Sequence, residues 1–269
     1  MLPETIVQLV NVHKAFGGQP VLDGISIEFP RGRTTVVLGP SGCGKSVMLK
    51  HIIGLLRPDQ GEVYYEGKRI DRLSERQFVE VRLQVALIFQ MSALFDSMTV
   101  AENLEFPLVE HTALNRRQRQ ERVAAALETV DLAGAQPKLP AELSGGQKKR
   151  VALARGLVMN PRVVLYDEPT TGLDPIRADG INELILKLQR TMGVTSIVVT
   201  HDLISARKIA DTVVMLQAGR VAASGDFATI EQSPDPRVQA FMHGHYDSGD
   251  DRLAERIQRD IAAVASEAS

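Results

Sequence analysis

An apolar run at 35–38, the turn GPSGCGKS at 39–46 and a helical pattern at 45–56 follow one another without a gap. That order specifies a strand, a tight turn and a helix that begins at the turn. Gly39, Gly42 and Gly44 let the backbone curl until its N–H groups face one centre, and the helix N-terminus adds positive potential there. Such a cradle suits the phosphates of a nucleoside triphosphate. Lys45 is placed to reach the β- and γ-phosphates, and the Ser46 hydroxyl to ligate Mg²⁺. Pro40, Ser41 and Cys43 complete the loop. A helix N-terminus would lower the pKa of Cys43, but at a variable loop position the thiol reads better as inert.

Further apolar, β-branched runs recur at 85–89, 163–166, 196–200 and 212–216 between longer helical patterns. Strands apolar on both faces are what a parallel sheet covered by helices requires. Their alternation with helices gives an α/β core with right-handed crossovers. Upstream, 6–12, 25–29 and 62–66 read as strands broken by Gly17-Gly18, by Pro30-Arg31-Gly32 and by Gly67. They form a separate N-terminal antiparallel β layer. Between Gln90 and Pro161 the strand signal disappears. Thr99 to Glu102 reads as a capping box opening a helix, 115–130 is helical, and Ser144 to Gln147 caps a helix running through Met159. The organisation is therefore a nucleotide-binding α/β core with its β layer (5–92 and 159–232), an inserted helical subdomain (93–158) and a C-terminal extension (233–269).

At 269 residues the chain is long enough for one large domain or a core with an insert. Its net charge of -2 and pI near 6.3 provide no basic field for nucleic acid. A single cysteine excludes a disulfide framework and fits a reducing compartment. The sequence has no run of 18 or more apolar residues, and its N-terminus, MLPETIVQLV, lacks the pattern of a signal peptide. A soluble cytosolic protein is the expectation.

The other chemical groups sit at strand ends. Asp167 follows the run 163–166, which brings its carboxylate near the phosphate loop as a magnesium ligand. Glu168, next to it, can polarise an attacking water as general base. Gln90, after 85–89, can reach Mg²⁺ or that water, and His201, after 196–200, can hydrogen-bond a γ-phosphate. Alone, either would be an ordinary polar strand end; they gain weight from sharing the topological position of Asp167. Ser144, Gly145, Gly146 and Gln147 (in LSGGQ) put two glycines and a hydroxyl at a helix N-terminus, a second anion cradle. A structural cap alone would explain LSGGQ equally well.

Taken together the motifs resemble those of ATP-binding-cassette (ABC) ATPase subunits over roughly residues 6–230. Walker A corresponds to 39–46, the Q-loop to Gln90, the signature to 143–147, Walker B to 163–168, the D-loop to 172–174 and the switch histidine to His201. The resemblance implies ATP and Mg²⁺ as ligands and a head-to-tail dimer with a second copy, ATP lying between one phosphate loop and the other chain's signature. It implies that Asp174 joins the nucleotide site, and that Phe16, where Tyr is commoner, stacks on adenine. The signature continues as Lys148-Lys149-Arg150, a minor departure that keeps positive charge.

After Gln90, the apolar Met91, Leu94, Phe95 and Met98 lie beside the nucleotide site. They either pack within the helical subdomain or line a groove that accepts a short helix from a transmembrane permease, with Leu94 and Phe95 as anchors. This stretch and SPDPRVQAFMHG at 233–244 resemble the lipid-trafficking branch of the family, the Mla (maintenance of lipid asymmetry) and Mce-associated ATPases. That likeness implies an ATPase at the cytoplasmic face of the inner membrane, driving a permease for phospholipid or another hydrophobic lipid. It adds an MCE-domain lipid-binding protein and a small regulatory subunit as further partners. An importer of a polar solute, a soluble repair or translation ATPase and a nucleotide-binding scaffold are the competing classes. The repair class lacks its long coiled coil here, the translation class its second cassette, and intact Glu168 and His201 argue against a scaffold. Leu253, Ile257, Ile261 and Val264 recur at helical spacing in the tail, for docking or for solvent. His243 and His245 read as surface residues.

Overall fold

A computed structural model describes residues 5–244. β1 (Thr5–Phe16) and β2 (Gln19–Pro30) form a long antiparallel hairpin, turned at Gly17 and Gly18, both in the left-handed region. β3 (Thr34–Leu38) runs through the phosphate loop into α1 (Lys45–Ile52). β4 (Gln60–Tyr65) pairs with β1, and β5 (Lys68–Arg69) with β4, so the first sheet has the order β2-β1-β4-β5. This is the expected antiparallel layer.

α2 (Glu75–Gln84) precedes β6 (Val85–Ile88), after which the chain leaves the sheet. α3 (Val100–His111), α4 (Arg116–Thr129) and α5 (Gly145–Leu157) make the inserted helical layer. Thr99, Asn115 and Ser144 cap them, and in each case the N3 side chain returns to the cap backbone. Two orphan donors per helix are satisfied in this way, each cap contributing about 1 kcal/mol.

The chain re-enters the sheet at β7 (Val163–Asp167) and continues through α6 (Pro175–Met192), β8 (Thr195–Thr200), α7 (Leu203–Ile209) and β9 (Thr212–Gln217). β10 (Arg220–Gly225) folds back antiparallel on β9, giving the order β10-β9-β3-β8-β7-β6 with every other pair parallel. α8 (Phe227–Glu231) and α9 (Pro236–Met242) follow. Val238 is fully buried, and Phe241 and Met242 pack on the same core, so 236–242 is docked on the core. The tail residues Leu253, Ile257, Ile261 and Val264, with His245, lie outside the described residues. His243 is exposed.

Strand periodicity explains the layering. In β3, Val36 and Leu38 enter the core beneath the helical layer while Val37 enters the core facing the antiparallel sheet. β7 repeats this, with Val164 and Tyr166 on one side and Val163 and Leu165 on the other. Each such side chain contributes roughly 1.5–3 kcal/mol by leaving water. The central strands are thus apolar on both faces, and their polar chemistry is confined to their ends.

Some boundaries differ from expectation. α1 stops at Ile52, not 56, because Gly54 takes φ 65° and a Cβ there would lie 2.4 Å from the Phe78 ring. α5 ends at Leu157, not Met159, where Asn160 turns into the left-handed region.

Candidate functional site

β3, β8, β7 and β6 are neighbours and parallel, so their C-terminal ends form one rim. Ligands of open α/β sheets bind there, beyond the carboxyl ends of the strands. On this rim β3 places the loop 39–46, β7 ends in Asp167, β8 is followed by His201, and β6 leads to Gln90. Ser41, Gly42, Gly44, Lys45, Ser46, Gln90, Glu168 and His201 all line one cleft of about 270 Å³.

The loop depends on its glycines. Gly44, the N-cap of α1, has φ 103°, and a Cβ there would meet a Leu22 methyl at 2.6 Å and the Val21 carbonyl oxygen at 2.8 Å. Lys45 is buried, and its ammonium donates to the carbonyl oxygens of Gly39 (2.7 Å) and Pro40 (3.0 Å), curled over the loop. Cys43 is buried too. Burial pushes its thiol pKa up, and the nearby Lys45 only partly offsets that, which disfavours the reactive thiolate.

The Ser46 hydroxyl donates to Asp167 Oδ1 at 2.7 Å. This hydroxyl and carboxylate meet at the mouth of the phosphate loop, an all-oxygen pair suited to a hard cation. Among the described residues, no cluster of three or more acidic, His or Cys side chains could hold a metal alone. The hydroxyl–carboxylate pair is the kind of partial set that holds Mg²⁺, which takes one or two protein oxygens together with substrate phosphates and water.

Glu168 sits at φ 51°, the left-handed region that costs a residue with a Cβ of order 1–3 kcal/mol. Its carboxylate is held on three sides. Oε2 accepts from the hydroxyls of Thr171 (3.1 Å) and Thr200 (3.2 Å), and Oε1 is 3.0 Å from His201 Nδ1. Lys45 Nζ is 3.9 Å from Oε1. A carboxylate fixed beside the phosphate loop and open to the cleft can take a proton from a water.

Other expected residues lie elsewhere on the chain. Phe16 ends β1, exposed, with the Lys14 ammonium 5.6 Å from its ring centre, and it does not line the cleft. Ser144, Gly145, Gly146 and Gln147 open α5, with the Gln147 side chain accepting from the Ser144 N–H at 2.9 Å. They face the turn after β7: a Cβ on Gly145 would lie 3.8 Å from Leu173, and one on Gly146 3.7 Å from Arg177. Asp174 caps α6 through the Arg177 N–H at 3.0 Å. Ser144 is exposed, and none of residues 144–147 lines the chain's own phosphate cleft.

Beside the Q-loop lies an apolar groove of about 660 Å³, whose walls include Val79, Leu83, Leu87, Phe89, Phe95 and Phe106. Phe95 and Phe106 pack as a tilted pair 5.3 Å apart. Met91 is 87% exposed and Phe95 43%, whereas Leu94 packs half-buried against the main core. Of the two expected anchors, Phe95 lines the groove and Leu94 belongs to the core. Asn103, fully buried, holds this loop by donating to the carbonyls of Phe95, Met98 and Thr99 and accepting from the Phe95 N–H. Arg155 of α5 donates to the Ala93 carbonyl at 2.8 Å. The sequence pattern missed both residues; an Asn inside an otherwise apolar helix face was the available signal.

A parallel sheet with a phosphate loop, a strand-end aspartate and a held glutamate defines a P-loop nucleoside triphosphatase. The ABC transporter family model matches residues 22–171. The chain is 38% identical over 239 residues to the intermembrane phospholipid transport system ATP-binding protein MlaF of Escherichia coli K12, covering 89% of each. It is 37% identical to the probable ribonucleotide transport ATP-binding protein mkl of Mycobacterium tuberculosis H37Rv, over 88% of this chain and 66% of that protein. An ATP-binding cassette solved as a dimer in a post-hydrolysis state with ADP and Pi superposes with a TM-score of 0.76 at 33% identity, over 82% of this chain and 99% of that one. This chain belongs to the ABC transporter ATPase family, and its activity is ATP hydrolysis coupled to transport.

Proposed function

We propose that this chain is the ATPase subunit of a transporter whose separate membrane permease moves phospholipid or another hydrophobic lipid. Two copies work head to tail, each signature loop closing on the nucleotide of the other. The observation that carries this is the pair of glycine-rich helix starts: Ser41, Gly42, Gly44, Lys45 and Ser46 line the phosphate cleft, whereas Ser144 is exposed and outside it. The likeness to a phospholipid transport ATPase over 89% of the chain supports the cargo class.

In this mechanism the loop 39–46 and Lys45 bind the β- and γ-phosphates, and Phe16 stacks on adenine. Ser46, Asp167 and Gln90 would hold Mg²⁺, which when bound would neutralise charge on the phosphates. Glu168 accepts the proton of the attacking water as that water's oxygen bonds to the γ-phosphorus. The bond from that phosphorus to the bridging oxygen breaks, and ADP keeps the electron pair. His201 orients the γ-phosphate, and Asp174 together with residues 144–147 completes the partner's site.

The groove beside the Q-loop receives a short helix of the permease, with Phe95 as anchor. Docked there, the subunit would sit peripherally on the cytoplasmic face of the inner membrane. Among the described residues no helix is long and apolar enough to cross a membrane. An MCE-domain lipid-binding protein and a small regulatory subunit complete the complex. The likeness to the mycobacterial protein named for ribonucleotide transport favours a polar cargo as the second reading. Co-expression with a candidate transmembrane permease, reconstitution, and transfer of a fluorescent phospholipid decide between them. ATP-dependent lipid transfer that stops with Glu168→Gln is expected. Transfer of a nucleotide, with none of lipid, would replace the cargo assignment.

A further inference from the structure

Lys149 lies on α5 two residues beyond the signature loop, and the resemblance treats it only as retained charge. In the structure its half-buried ammonium donates to three main-chain carbonyls, those of Glu168 (3.4 Å), Pro169 (2.7 Å) and Thr171 (2.8 Å). An ammonium has three donors and no acceptor, so this set uses all of them. Among the described residues Lys149 makes no ion pair with a carboxylate. All three acceptors belong to the short turn that leaves β7, and the first is the carbonyl of the residue held at φ 51°. Burial lowers the Lys149 pKa, and the nearby Glu168 charge offsets this only in part.

Other bonds also restrain the turn, among them those to the Glu168 carboxylate described above. The Glu168 N–H donates to the Val199 carbonyl at 3.0 Å, and the Thr171 N–H reaches the Glu168 carbonyl at 3.3 Å. These bonds fix where the turn leaves the sheet. Lys149 is the side chain that gathers three of its carbonyls to one point. A left-handed, non-glycine residue persists only where its surroundings over-determine it, and Lys149 supplies that constraint from a different element.

We propose that Lys149 is a positioning residue that holds the Glu168 peptide in its left-handed conformation and so aims the carboxylate into the phosphate cleft. The proposal rests on Glu168 acting as the base. Because α5 starts at the signature loop, the same contact ties the position of the base to the placement of residues 144–147.

Lys149→Met keeps the apolar stem and removes the donors; Lys149→Arg keeps donors. In the full chain, Lys149→Met is expected to lower kcat by about tenfold or more while ATP affinity stays within about twofold, the pattern of an interaction that acts on the chemical step. Amide hydrogen exchange in the nucleotide-free protein should quicken at residues 168–173 and stay unchanged in α4. Lys149→Arg should recover most of both effects. In a Glu168→Gln background, Lys149→Met should change turnover by less than about twofold, since residues acting as one unit are non-additive. Unchanged kcat in Lys149→Met while Glu168→Gln is inactive would overturn the Lys149 assignment alone. A further tenfold loss on top of Glu168→Gln, or kcat and ATP affinity falling together without rescue by Arg, would overturn it too. Full turnover by Glu168→Gln would remove the base and this proposal together.

Discussion

Glu168 Oε1 lies 3.0 Å from His201 Nδ1, although 33 positions separate the two residues. The contact joins the end of β7 to the end of β8 and leaves both side chains lining the phosphate cleft. Glu168→Gln preserves the size of the side chain and an oxygen for the Thr171 and Thr200 hydroxyls, but removes the proton acceptor. ATP affinity should be retained and hydrolysis cut by about 10²–10⁴-fold, the usual worth of a general base. Lys45→Ala should instead weaken ATP binding, because its ammonium is the buried cation of the loop. Titration with a fluorescent ATP analogue and a phosphate-release assay on both variants check this; near-normal turnover of Glu168→Gln would refute the base.

The exposed position of Ser144 leads to a prediction about assembly. Ser144→Arg puts bulk and charge where the second copy's phosphates would dock. A monomer should still bind ATP, since the phosphate cleft is untouched. ATP-driven dimerisation, trapped with Glu168→Gln, should disappear on adding Ser144→Arg. Sedimentation velocity of single and double variants with and without ATP is the measurement, and a dimer in the double variant would rule out shared sites.

The central sheet was readable in the sequence because its strands are apolar on both faces, a pattern that 35–38, 163–166 and 212–216 carry without interruption. The cleft was readable because each of its polar groups directly follows such a strand. β10 was not, since RVAASG (Arg220–Gly225) is mostly small and weakly apolar, and an edge strand needs only one apolar face. α2 was hidden by its charged sequence, ERQFVEVRLQ, of which only Phe78 and Val81 are buried. Lys149 looked like surface charge because its acceptors are backbone carbonyls about 20 positions away, which carry no side-chain signature.

Glu66 fastens the antiparallel layer to the parallel core. Its Oε1 accepts from Arg31 at 3.0 Å and from Arg162 at 2.6 Å, residues that follow β2 and precede β7. Burial alone would raise its pKa, but the hydrogen bonds from Arg162 and Arg31 outweigh that and hold it below the ordinary carboxylate value. A depressed carboxylate contributes stability above its unfolded-state pKa and loses it as pH falls through the folded value. The arginines are partly exposed and screened, so the contribution is about 1 kcal/mol or less. Denaturant unfolding should show wild type above Glu66→Gln at pH 7, with the gap closing below about pH 4. A gap that persists at pH 3 would contradict the linkage.

The split between Leu94 and Phe95 separates coupling from folding. Leu94 packs against the main core, so Leu94→Ala should destabilise the free subunit, by less than the roughly 2–5 kcal/mol of a fully buried leucine. Phe95 is 43% exposed in an apolar groove, where its ring packs on Phe106 and lies 5.7 Å from the Arg155 guanidinium. Phe95→Ser should therefore lower the melting temperature of the free subunit only slightly. If the groove receives a permease helix, the same change should weaken the complex by about 2 kcal/mol or more, since truncating a buried aromatic anchor has that effect on binding. Asn103→Ala tests the support of the loop: with its bonds to Phe95, Met98 and Thr99 gone, the loop should lose its shape, and permease binding should fall even though Phe95 is intact. Melting curves of the three variants and their co-purification with the permease distinguish these roles. Wild-type recovery of the permease by Phe95→Ser, together with a large fall in its melting temperature, would assign Phe95 to the fold and remove it from the docking surface.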